Sequence, residues 1–173
     1  MTAGRLRAAF VAAASAWALL LLAAPFAASR PHASAWASLL IVGVYSIGSL
    51  VCHQLPARSF HLWTAQMPVC ARCAGIYFGA AVSAIVLAVF RTAEAMRHSR
   101  AIVTACEEID FFTGSLSPAR VALALAVVPS LLTLIYEWTA GHMPSHAIRA
   151  AAGVPIGVAV AWLVVAATDN RVD

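Results

Sequence analysis

Five long stretches of the chain carry no charged residue, and their lengths predict its architecture. The stretches are residues 8–29, 31–57, 73–90, 121–136 and 150–168. They contain 22, 27, 18, 16 and 19 residues, and a helix needs about 20 mostly apolar residues to cross a membrane. We therefore predict an all-α fold, a polytopic membrane helical bundle with about five transmembrane helices.

The helix boundaries follow from the apolar runs and the turns between them. We place the helices at residues 8–28, 35–51, 73–90, 120–138 and 147–168. Together they form a single membrane domain over residues 1–173. The basic residues before the first helix also fit a signal peptide, but its apolar run exceeds the ~7–15 residues of a signal-peptide core. We expect this helix to be retained.

Two pairs of glycines are spaced four residues apart inside the predicted helices. They are Gly75 with Gly79, and Gly153 with Gly157. At this spacing the two missing side chains lie on one face of a helix, so a second helix can approach closely. We expect the bundle to pack through these glycines.

The longest polar stretch, residues 91–118, lies between the third and fourth predicted helices. Apolar residues are scattered there among the charged ones. This pattern fits an amphipathic helix in the membrane interface, and it fits a solvated polar loop equally well.

The amino-acid composition excludes several other classes of protein. Hydrophobic residues make up 62% of the chain and charged residues 10%, whereas soluble domains contain about 25% charged residues. These values exclude a soluble globule, a disordered chain and a nucleic-acid-binding module. The net charge of +4 comes from arginines at helix ends rather than from a basic run. We therefore expect the lipid bilayer, and no nucleic acid, as a partner.

An odd number of spans fixes which loops share a face of the membrane. With five spans, the N-terminus, the loop at residues 52–72 and the turn between helices 4 and 5 lie together. The loop therefore lies on the same side as Glu137 and Arg149. Arg5 and Arg7 favour a cytoplasmic N-terminus and hence a cytoplasmic loop, although the arginines of the other loops do not decide the orientation.

Three of the four cysteines frame this loop. Cys70 and Cys73 lie three positions apart at a helix start, where both can reach one metal ion and where the helix N-terminus favours thiolates. With Cys52 and one histidine, His53 or His61, they complete a Cys3His ligand set of the kind that binds zinc. The leading hypothesis is a membrane protein with a Cys/His zinc-binding loop at the membrane face.

Two other functions remain open for the same residues. A Cys-x-x-Cys at a membrane-proximal helix start is similar to the bacterial disulfide-bond oxidase and vitamin K epoxide reductase, whose thiols work with a quinone. Cys70 and Cys73 would then be the redox pair, and Cys52 a resolving thiol. A second thiol pair is hard to find, because Cys106 falls on the opposite face. The last alternative is a non-catalytic membrane scaffold.

Four ionisable residues lie near the same predicted membrane face: Arg58, Arg72, Glu137 and Arg149. Charges at such positions are costly unless they are paired or hydrated. An ion pair of Glu137 with Arg149 or Arg72 is the simpler interpretation. The alternative is a polar pocket beside the cysteines that takes an anionic group or conducts protons.

Two motifs resemble a known family. Residues 52–60 are Cys-His-Gln-Leu-Pro-Ala-Arg-Ser-Phe, and residues 68–75 are Pro-Val-Cys-Ala-Arg-Cys-Ala-Gly. Together they resemble a family of small bacterial membrane proteins known only as domain of unknown function 2085. Residues 144–149, Pro-Ser-His-Ala-Ile-Arg, look like the closing segment of that family, although His146 stands where asparagine is common.

The resemblance covers roughly residues 36–168, apart from 91–118. It implies a multi-pass protein of the bacterial cytoplasmic (inner) membrane with the first helix retained. It also implies a shared role for Cys52, His53, Arg58, Cys70, Arg72, Cys73 and Arg149. The resemblance implies no particular activity.

Overall fold

The computed structural model of the chain describes residues 3–32, 34–89 and 118–169, which form five α-helices. These are α1 (Ala3–Ala28), α2 (Ala35–Val51), α3 (Ala71–Val89), α4 (Pro118–Ala140) and α5 (His146–Asp169). The predicted all-α class is confirmed. The predicted interfacial helix or loop at residues 91–118 lies outside the described residues, except for Pro118 at the start of α4.

Four of the described helices are long and apolar enough to cross a membrane: α1, α3, α4 and α5. Helix α2 is also apolar, but its 17 residues stand at the lower end of the range of about 17–25 for a spanning helix. Its crossing stays a prediction. Large apolar side chains such as Trp36, Leu50 and Trp138 are 81%, 84% and 76% exposed, which suits contact with lipid rather than water.

Short polar residues define the helix ends around the loops. The hydroxyl oxygen of Ser34 accepts a hydrogen bond from the backbone N–H of Ala37 at 3.3 Å, and this caps α2. Ser145 caps α5 in the same way through the N–H of Ile148, also at 3.3 Å. Gly141 follows α4 with φ +68°, a left-handed conformation that glycine adopts without strain. The end of α4 and the start of α5 therefore lie one short turn apart.

Helices α3 and α5 pack backbone to backbone through the predicted glycines. A Cβ atom on Gly75 would overlap the carbonyl of Ala150, and one on Gly153 would overlap the carbonyl of Arg72. A Cβ on Gly157 would overlap the carbonyl of Ile76, and one on Gly79 would lie 2.7 Å from the carbonyl oxygen of Val154. The predicted glycine packing is confirmed, and it brings the start of α3, which carries two cysteines, against the start of α5.

The segment between α2 and α3 folds into compact structure of its own. It contains a turn of 3-10 helix (Pro56–Arg58) and a hairpin of two short strands, β1 (His61–Leu62) and β2 (Ala65–Gln66). Trp63 and Thr64 join the strands with φ angles of +50° and +74°. Pro56 and Pro68 disfavour a continuous helix in this segment, and the hairpin was not predicted.

The end of this segment is buried in the hydrophobic core. Met67 and Val69 are 2% and 0% exposed. They pack in one cluster with Leu21 of α1, Val44 of α2 and Ala74 of α3. The apolar side chains therefore anchor the approach to Cys70 among three helices.

Candidate functional site

Three cysteines from two separate segments converge in the structure. Cys52 directly follows α2, Cys70 directly precedes α3, and Cys73 lies in the first turn of α3. Their three Sγ atoms all lie within 4.8 Å of one another. Cys52 is buried, and the other two are half-buried. The structure thus brings together the three thiols that the sequence singled out.

The side-chain amide of Gln54 connects the end of α2 to the residues that precede α3. The Nε2 of Gln54 donates to the carbonyl of Tyr45 in α2 at 2.8 Å and to the carbonyl of Pro68 at 2.7 Å. In return, the Nε2 of Gln66 donates to the carbonyl of Gln54 at 2.6 Å. The hydroxyl of Tyr45 donates to the carbonyl of Gln66. This network fixes the end of α2 against the residues that lead to Cys70.

The network was missed in the sequence. Gln54 belongs to the Cys-His-Gln motif. The motif does not predict that its side-chain amide donates hydrogen bonds to two backbone carbonyls. The residue also has φ +48°, a conformation that only a few per cent of non-glycine residues adopt. Its side-chain hydrogen bonds on both sides hold it there.

The environment of Cys70 favours its thiolate. A hydrogen bond from the Cys73 thiol, helped by the backbone N–H groups of Cys73 and Arg72 and by the Cys52 thiol, lowers the pKa of Cys70 to about 5 against the effect of burial. The backbone N–H of Cys70 also donates to the Sγ of Cys52 at 3.2 Å. A thiolate is the form of cysteine that binds metals and attacks electrophiles.

The spacing of the sulfurs suits a single metal ion. Zinc binds thiolates at about 2.3 Å, so two sulfurs of a tetrahedral site lie about 3.8 Å apart. The observed limit of 4.8 Å exceeds that separation by about 1 Å, which a rotation of the side chains covers. The donor set of three thiols therefore fits zinc and leaves one coordination position free.

The two histidines that the sequence offers as the fourth ligand lie away from this group. His53 and His61 are both exposed. Among the residues that the structure describes, the close group of ligand atoms consists of the three cysteines. His53 does line the cavity beside them. A histidine ligand therefore stays a prediction.

A cluster of charges surrounds Glu137 in the last turn of α4. The Nε of Arg149 lies 2.9 Å from Oε1 of Glu137, and the Nη2 of Arg72 lies 3.6 Å from the same oxygen. The Nη2 of Arg58 lies 3.4 Å from Oε2. The structure contains both predicted ion pairs, Glu137–Arg149 and Glu137–Arg72. The Glu137–Arg58 ion pair is a third, which was not predicted. The Glu137 side chain is 3% exposed, so this pairing occurs almost out of contact with solvent.

The cluster joins the loop to three helices. Arg58 belongs to the 3-10 turn, Arg72 to α3 and Arg149 to α5, while Glu137 lies in the last turn of α4. The Nη2 of Arg72 also donates to the hydroxyl of Thr133 at 2.9 Å. These contacts confirm the prediction that the cysteine loop lies beside the turn between α4 and α5.

One cavity connects the cysteines with the arginines. Its volume is about 380 Å³. Its lining includes the three cysteines, the three arginines of the cluster, His53 and Gln54. A metal ion at the thiols would thus be reachable from a basic cavity.

Part of the chain is similar to an archaeal protein. Over 68 residues it is 40% identical to the uncharacterized protein MJ1492 of Methanocaldococcus jannaschii. The match covers 39% of this chain, and it spans less than half of that relative, 44% of its length. This relative is archaeal, and it does not confirm the expected bacterial source.

No solved structure matches the chain. A family model does match it, over residues 52–163. That range includes the cysteine loop, the charged cluster and more than half of the sequence. The chain therefore belongs to the family described as "Predicted membrane protein (DUF2085)".

Proposed function

We propose that the chain is a zinc-binding protein of the cytoplasmic membrane, with Cys52, Cys70 and Cys73 as ligands. The observation that carries the proposal is the convergence of three sulfurs within 4.8 Å from two segments, one after α2 and one at the start of α3. His53 or His61 is the proposed fourth ligand. Zinc sites with three protein ligands and a water or substrate in the fourth position are also common.

The ion would tie the end of α2 to the start of α3. Cys52 packs in the hydrophobic core, and the hydrogen bonds of Gln54 already connect this segment to the residues before α3. Bound zinc would add a second connection between the same two segments. Three thiolates on one Zn²⁺ ion carry a net negative charge. The nearby arginines stabilise such a charge, which supports a thiolate site at this position. The cavity would leave the ion open to exchange or to a further ligand.

Metal analysis of detergent-purified protein tests this proposal. We expect about one zinc ion per wild-type chain and close to none in Cys70→Ser, because a hydroxyl is a poor replacement for a thiolate. Cys106→Ser is the matched control. It removes the cysteine that the sequence places on the opposite face, so it should retain the wild-type zinc content. A wild-type protein without stoichiometric metal would sink the proposal.

A second candidate function has one observation in its favour. Cys70 has a lowered pKa and lies next to the Cys73 thiol, as in a redox pair. The two thiols would close a disulfide and pass two protons and two electrons to a quinone, forming the quinol. A disulfide between Cys70 and Cys73 in metal-free membranes, formed on adding quinone, would favour this function. The proximity of Cys52 to both sulfurs favours the metal site instead.

A further inference from the structure

The arginines around the cavity outnumber the carboxylates. Three arginines surround Glu137, so three positive charges face a single carboxylate, and the Cys70 thiolate lines the same cavity. Glu137 and Asp169 are the only acidic residues in the described ranges 3–32, 34–89 and 118–169. Asp169 ends α5, about 35 Å along the helix from its start. No carboxylate of these ranges other than Glu137 is therefore close enough to neutralise the arginines.

Some of the guanidinium donors are buried without a partner. The Arg149 side chain is 2% exposed, and its Nη1 makes no hydrogen bond. The Nε of Arg72 is also buried and makes none. Buried charged donors are costly to leave unsatisfied. These donors therefore have unused capacity to bind an anion.

The three arginines that pair with Glu137 also line the cavity. Arg58, Arg72 and Arg149 all border its volume of about 380 Å³, and Glu137 is not part of that lining. The guanidinium groups are therefore available to a molecule in the cavity, whereas the carboxylate is not. A cavity of this size lies within the range of about 300–1,000 Å³ for small-molecule sites.

The arrangement matches a phosphate group better than a carboxylate. Guanidinium groups bind phosphate oxygens through paired hydrogen bonds, and here they come from a loop and two helices. A phosphate monoester has a charge of about −1.5 to −2 at neutral pH and three acceptor oxygens, whereas a carboxylate has one charge and two oxygens. The phosphodiester of a lipid headgroup has one charge.

We propose that this cavity binds a phosphate group, carried by a soluble phosphorylated molecule or by a lipid headgroup, through Arg58, Arg72 and Arg149. The cavity lies at the ends of the apolar helices, where both sources can reach it. The binding does not depend on the proposed zinc ion, since the donors are arginines. A ligand bound there would, however, lie beside the thiols.

Thermal unfolding of the full chain in mild detergent tests the proposal. The probes are inorganic phosphate, glycerol 3-phosphate and short-chain phosphatidylglycerol, with sodium acetate at equal ionic strength as the reference. We expect a phosphate-bearing probe to raise the Tm in a saturable way and acetate to raise it much less. Stabilisation by the lipid alone identifies a headgroup site, and stabilisation by the two soluble probes identifies a solute site.

Two arginine variants make the test specific. Arg58→Gln removes the most exposed arginine of the cluster, at 34%, and should weaken phosphate binding about tenfold while the protein still folds. Arg120→Gln is the matched control, because Arg120 is an exposed residue at the opposite end of α4. Its affinity for phosphate should equal that of the wild type.

Two results would overturn the proposal. One is equal stabilisation by acetate and by the phosphate probes. The other is equal phosphate affinity of the wild type and Arg58→Gln. Zinc content, measured on the same samples, separates this proposal from the preceding one. Arg58→Gln should lose phosphate affinity while keeping its metal, and a protein without zinc can still bind phosphate.

Discussion

Replacing Glu137 with alanine is expected to destabilise the protein by about 3–5 kcal/mol. The substitution removes the carboxylate that lies 2.9 Å from Arg149, 3.4 Å from Arg58 and 3.6 Å from Arg72. Arg149, with a side chain 2% exposed, would be left as a buried charge without a counter-charge. The measurement is the free energy of unfolding in mild detergent.

Two further variants show whether the cost comes from unpaired charge. Thr139→Ala, an exposed position two residues further along α4, should change stability by less than about 0.5 kcal/mol. Glu137→Ala combined with Arg149→Met should be more stable than Glu137→Ala alone, because the buried charge is gone. If Glu137→Ala costs less than about 1 kcal/mol, the carboxylate is not what stabilises the arginines.

Alanine at Gly153 is expected to destabilise the protein, whereas alanine at Gly43 should not. A Cβ on Gly153 would overlap the Arg72 carbonyl, and around Gly43 nothing lies within 4 Å. Overpacking typically costs about 1–3 kcal/mol, and backbone cannot yield as a side chain does. In an open helical position, alanine gains roughly 0.5–1 kcal/mol over glycine.

The Gly153 variant should also affect the metal site. Arg72 immediately precedes Cys73, so moving α3 away from α5 displaces one of the three ligands. We expect a lower zinc content in Gly153→Ala and an unchanged content in Gly43→Ala. The same sign of the stability change at both positions would contradict the close packing of α3 against α5.

The sequence predicts the positions of the helices well, but not all of their ends. Helix α2 begins and ends where expected, at residues 35 and 51. Helix α1 instead begins at Ala3 rather than at residue 8, and α4 covers residues 118–140 rather than 120–138. Charged residues show where the apolar span ends. Helical hydrogen bonding continues past them, because a solvated arginine is tolerated in a terminal turn.

Two features of the sequence predict part of the candidate site: the spacing of the cysteines and the number of membrane-spanning helices between the loops. Those two features bring the three cysteines together and place Glu137 beside Arg72 and Arg149. The hairpin was not predictable, because Trp63 and Thr64 adopt positive φ angles without the Asn-Gly signature of such turns. The role of Gln54 was hidden for a related reason, since its partners are backbone carbonyls that no sequence motif marks.

X-ray absorption at the zinc edge of the metal-loaded protein counts the sulfur, nitrogen and oxygen atoms bound to the ion. We expect three sulfur atoms at about 2.3 Å and one nitrogen or oxygen atom at about 2.0–2.2 Å. The sulfur count should fall in Cys52→Ser and stay at three in Cys106→Ser. A spectrum with only nitrogen and oxygen around the zinc would contradict a metal centre at Cys52, Cys70 and Cys73.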